Sequence, residues 1–66
     1  MTYDRLRGRI IEKYGSQEKF KDALGISSTA LSNKMRGETG FSQKDIIKWC
    51  NLLEIDLHDV GSYFYT

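Results

Sequence analysis

Apolar positions recur along this chain at three- and four-residue spacing, and glycines divide the pattern into short blocks. Leu6 and Ile10, joined by either Ile11 or Tyr14, form one stripe and predict a helix over residues 3–13. Gly8 falls inside that helix, where Gly costs about 1 kcal/mol against Ala, and would permit close approach of another helix. Gly15 stands where a helix commonly ends. Ser16 is a good N-cap for a second helix, with Glu18 in the first turn, where the helix dipole favours an anion. Phe20, Ala23 and Leu24 form its expected buried face. Gly25 ends it in the left-handed conformation that glycine adopts at least cost, and Ile26 is expected to plug the core.

Ser27 or Ser28 caps a third helix over residues 28–35, whose apolar positions are Ala30, Leu31 and Met35. GETG at 37–40 reads as a loop anchored by Phe41. Ser42 and Asp45 have the spacing of a capping box, opening a fourth helix. Its stripe of Ile46, Trp49, Cys50 and Leu53 is edged by Ile47 and Leu52. That is more apolar than one-sided packing requires, so part of it is expected to face a second subunit. Asp56 caps a last short helix with Leu57 and Val60 directed inward. The tail Tyr63, Phe64 and Tyr65 is assigned to a dimer interface, because a small core has little room for three consecutive aromatics.

These elements make an all-α fold, a compact bundle of four to five short helices, as one domain over residues 1–66. No proline, repeat or linker interrupts it. A chain this short buries only about 60% of the surface its unfolded form exposes. Its one cysteine, Cys50, excludes an internal disulfide. His58 and Cys50 are too few soft ligands for a zinc cage, so neither metal nor cofactor is expected. The charged N-terminus does not read as a signal peptide, and no stretch is apolar enough to span a membrane. A reducing cytoplasm is the expected compartment.

Charge adds a direction. The net charge of +1 combines about +4 over residues 1–48 with −3 over residues 49–66. Such segregation suggests a face for an anionic partner. The third helix sharpens this. Thr29, Ser32 and Asn33, with Ser28 before them and Lys34 and Arg36 beyond, leave a broad polar face without an acid. Ser, Thr and Asn are mediocre helix formers. A face needing only solubility would more often carry Glu and Lys.

Residues 17–37, QEKFKDALGISSTALSNKMRG, resemble the helix-turn-helix of the lambda-repressor/Cro family, also called xenobiotic-response-element-like regulators. The matching residues are Gln17, Phe20, Leu24, Gly25, Ile26, Leu31 and Gly37. IIKWCNLLEIDLHDV at 46–60 is similar to that family's later helices, and the short phage Cro-like and repressor-like members are alike in size. Three positions depart from the pattern. Lys21 stands where Ala is usual, Lys34 where an apolar residue is usual, and Glu54 where Gly often ends the fourth helix, so that last turn is expected to be built differently.

The resemblance implies a transcriptional regulator, acting as a homodimer on a palindromic operator in double-stranded DNA. The second helix of such a motif enters the major groove. Ser28, Thr29, Ser32 and Asn33 are then the candidate base contacts, Asn33 pairing bidentately with adenine. Gln17, Lys34, Arg36 and Lys44 are the candidate phosphate contacts, and Tyr63, Phe64 and Tyr65 the candidate dimer interface. The alternative is a protein-interaction module on the same fold: an antirepressor or modulator binding another phage repressor, or an antitoxin. Near-neutral charge and the apolar surplus after Phe41 motivate it. One His, one Cys and scattered carboxylates supply no nucleophile with a base at readable spacing, so an enzyme is not expected.

Overall fold

A computed structural model describes residues 3–65. Five helices follow one another: α1 (Asp4–Tyr14), α2 (Gln17–Leu24), α3 (Ser28–Met35), α4 (Gln43–Leu53) and, after a single 3₁₀ turn at Leu57–Asp59, α5 (Val60–Phe64). The boundaries follow from caps. Ser16 and Ser27 accept the amides of Lys19 and Ala30 at 3.2 and 3.0 Å. Ser42 and Asp45 exchange both bonds of the capping box at 3.1 Å. Gly15 and Gly25 close α1 and α2 with φ of 85° and 74°, a conformation that disfavours any residue with a Cβ.

The core is a run of aromatic rings, one from each of several elements. Trp49 of α4 meets Phe20 of α2 and Phe41 of the α3–α4 loop edge-on, both at 4.9 Å between centroids. Phe41 also meets Phe64 of α5 at 5.0 Å and Tyr3 at 5.4 Å, while Tyr14 leans on Phe20 at 5.1 Å. Leu6, Ile10, Leu24, Leu31, Met35, Ile46, Leu53 and Ile55 fill the space around them. Edge-on pairs of this kind add roughly 0.5–1.5 kcal/mol each beyond the area they bury.

Several expectations are corrected here. Phe64 is 4% exposed and belongs to the core, not to a dimer interface. The core has room because Leu57 stays outside, at 71% exposure, and Ile55 goes in instead. Ile55 precedes the Asp56 cap and Val60 follows four residues into the turn, the placement of a hydrophobic staple. Ala23 is exposed, since Phe20 and Leu24 alone fill the buried stripe of α2. A Cβ built on Gly8 meets nothing within 4 Å, so no helix approaches there.

The end of α4 is also not built differently. Glu54 itself takes the left-handed conformation, with φ 53° and ψ 44°. Strain of about 1–2 kcal/mol is usual for such a residue. It is offset by α1: Arg9 donates to the Leu53 and Glu54 carbonyls at 2.9 and 3.0 Å, and Lys13 pairs with the Glu54 carboxylate at 2.8 Å, holding it below the usual carboxylate range.

Two stability comparisons follow from this packing. Phe64→Ala should cost about 3–5 kcal/mol and leave a chain this small largely unfolded by circular dichroism, whereas Tyr65→Ala, at an exposed ring, should shift the melting temperature little. Gly8→Ala should raise stability by about 1 kcal/mol; a loss would mean that the α1 surface at Gly8 is covered after all.

Candidate nucleic-acid interface

Two short helices, α2 and α3, are joined by three residues, Gly25 to Ser27. Ile26, half-buried, packs on the core between them. From behind, Lys48 of α4 donates to the Leu24 carbonyl at 3.2 Å and so ties the turn to the scaffold. Lys21 stands in α2 where a small residue was expected. Its side chain is 17% exposed, and its ammonium pairs with Glu18 at 2.7 Å and Asp22 at 3.3 Å. The stem is covered and the charge reaches the surface; the Glu18 bond, then that to Asp22, raises its pKa.

The faces of α3 follow from its period. At 3.6 residues per turn, Thr29, Ser32, Asn33 and Arg36 fall within about 100° of one another, and Leu31, Lys34 and Met35 fall opposite. Leu31 and Met35 are 4% and 2% exposed. Thr29 and Arg36 are exposed, Ser32 and Asn33 half-buried. Ser27 is the N-cap, which leaves Ser28 exposed as the first helical residue. The Asn33 side-chain oxygen accepts from Arg36 Nη2 at 2.8 Å, and the same nitrogen reaches Glu38 at 3.2 Å.

Lys34 is not brought together with that face. Its ammonium donates to Asp45 at 2.8 Å and to the Gly40 carbonyl at 3.3 Å, and lies 5.4 Å from the Phe41 ring centre. It fastens the end of α3 to the start of α4. Its spacing carries the signal: Lys34 is three residues from Leu31 and adjacent to Met35, on the buried side. The Lys34 bond, then the Ser42 amide, holds the Asp45 carboxyl below its ordinary range.

Gln17 is the first residue of α2, half-buried, and Lys44 lies exposed in the first turn of α4. Among the described residues the Lys44 ammonium makes no ion pair or hydrogen bond, and the same holds for the ammonium of Lys19 in the first turn of α2, a residue outside the candidate phosphate contacts. The other basic side chains are engaged: Arg7 with Asp4, Arg9 with Glu12, Arg5 over the Tyr63 ring at 4.9 Å, and the pairs already described. Of the tail, Tyr63 is therefore half-buried beneath Arg5, Phe64 is inside, and Tyr65 is 70% exposed. Burial pushes the Cys50 thiol up. No described helix is long and apolar enough to cross a membrane.

Compared with known proteins, the whole chain, residues 1–66, matches a family described as "Protein of unknown function (DUF739)". No curated protein matches it.

The Lys34–Asp45 pair predicts an acid-sensitive joint between α3 and α4. A carboxyl held below its unfolded pKa stabilises the fold above the ordinary carboxylate range, and that contribution is lost as pH falls through the lowered value. Glu54 titrates in the same direction. Unfolding of the wild type followed between about pH 6 and pH 2 should therefore lose stability toward acid. Asp45→Asn should be less stable at pH 6 and show a shallower slope, with Glu54→Gln flattening it separately. An unchanged slope in both variants would refute this account.

Proposed function

The chain belongs to the DUF739 family, and we propose that it is a sequence-specific DNA-binding transcriptional regulator that reads double-stranded DNA through α3. One observation carries this reading. The outward arc of α3 holds Thr29, Ser32, Asn33 and Arg36, without an acid, while Leu31 and Met35 anchor the opposite side. Short donors and acceptors let a helix lie close to base edges in the major groove, and the thymine methyl suits Thr29. The resemblance of residues 17–37 to the lambda-repressor/Cro helix-turn-helix supports the same assignment.

In this reading Ser28, Thr29, Ser32 and Asn33 face the bases. Gln17, Lys19, Arg36 and Lys44 meet phosphates, which supply affinity and register but no sequence information. The first turns of α2 and α4 add amides that favour an anion. Lys34 is left out, because its ammonium is used within the fold. The domain measures 27 Å along its longest axis, less than the roughly 34 Å of one DNA turn. One copy thus covers one half-site, and a two-fold dimer would read a palindrome. The exposed apolar side chains of Ile11, Ile47, Leu57 and Tyr65 are candidates for that pairing. They also favour the second reading, a module that binds another repressor. Co-purification with such a protein and no DNA binding alone would select it.

The test is fluorescence anisotropy of the full chain against duplexes from the DNA flanking its own gene, across a salt titration. Binding should weaken with salt, with a log–log slope of about −0.9 per phosphate neutralised. Lys44→Met should reduce the slope by about one contact. Lys34→Met should lower the melting temperature and leave the slope unchanged. Absent or salt-indifferent binding to every duplex would overturn the proposal.

A further inference from the structure

On the outward arc of α3, Asn33 and Arg36 are joined by a bond within the protein. Arg36 Nη2 lies 2.8 Å from the Asn33 side-chain oxygen. A guanidinium has no acceptor, so the amide can meet it only through its oxygen, and its NH₂ group is left pointing away from Arg36. Glu38, 3.2 Å from the same Nη2, is a second partner of the guanidinium. Arg36 keeps Nε and Nη1 free of partners among the described residues, and its side chain is 57% exposed.

An asparagine reads adenine by donating to N7 and accepting from the N6 amino group. Here one lone pair of the Asn33 oxygen is already taken by the guanidinium, so the acceptor side of the amide is in use within the protein. The Asn33 NH₂ is the part of the amide left to face a base edge, and it is a donor only, while Arg36 holds the oxygen. Guanine presents two acceptors, N7 and O6, on the major-groove edge. We infer that Asn33 and Arg36 act as one hydrogen-bonded unit that selects guanine rather than adenine, with Arg36 as the positioning residue. This inference rests on the DNA-binding reading and names its specificity.

Selection of duplexes from a random library tests it with wild type, Asn33→Ala, Arg36→Met and Arg36→Lys, all surface changes whose folding is checked by thermal melts. Wild type should enrich a site with one G·C pair whose preference disappears in Asn33→Ala, a discrimination of about tenfold. Arg36→Met releases the oxygen, so the preference at that same pair should move to A·T. Arg36→Lys should retain guanine more weakly. An adenine preference at that pair in the wild type, or a guanine preference untouched by Arg36→Met, overturns the inference while leaving DNA binding intact. Failure of the wild type to enrich any duplex overturns the DNA-binding reading and the inference with it.

Discussion

The aromatic contacts that link the ends of the chain to α4 converge on Phe41. It belongs to a loop and is only half-buried, yet its ring is met edge-on by Tyr3, Trp49 and Phe64. Those three come from the start of α1, the middle of α4 and the end of α5. Through Trp49 the contact continues to Phe20 in α2. A chain with so little core cannot fix helix angles by bulk burial alone. Rings that meet edge-on restrict both distance and tilt, so each constrains the next. Helix α3 contributes no aromatic. Its position is inherited from this cluster through Leu31, Met35 and the Lys34 ammonium near Phe41.

Basic side chains form the second layer of support, and this alters the meaning of the charge pattern. Arg9 and Lys48 bond the carbonyls that end α4 and α2, where a helix end is electronegative and lacks partners. Lys34 joins α3 to α4. The positive excess over residues 1–48 is therefore not a ready-made patch, since much of it is used as internal fastening. Among the described residues the basic groups left without an ion pair, hydrogen bond or ring contact are fewer: Lys19, Lys44 and the far side of Arg36. On the proposed reading, an interface with few free cations would obtain selectivity from short polar groups rather than from charge.

Local chemistry was legible along the chain, and long-range choices were not. The caps at Ser16 and Ser42 and the stops at Gly15 and Gly25 depend on a few neighbouring residues, so spacing alone predicts them. The tail could not be assigned that way. Whether Phe64 or Leu57 enters the core depends on Phe41 and Ile55, which approach from elsewhere. Glu54 shows the same limit. Its left-handed turn looks unsuitable for a glutamate until Arg9 and Lys13, more than forty residues away, are seen to hold it. Lys34 is a different case: the helical period places it with Leu31 and Met35 on the buried side, whereas its charge alone suggests a phosphate contact.

The composition of α3 carries a cost that the rest of the fold offsets. Thr, Ser and Asn each form helix less well than Ala or Lys, by a few tenths of a kcal/mol, and eight residues are too few to be helical alone. The Ser27 cap, the Lys34–Asp45 bridge and two buried side chains hold α3 from both ends and from behind. That is what frees its outward positions from having to favour helix. On the proposed reading, the same freedom lets Asn33 be paired with Arg36 for recognition rather than spent on stability. A side chain can be fixed for recognition only where other residues have already fixed the backbone beneath it.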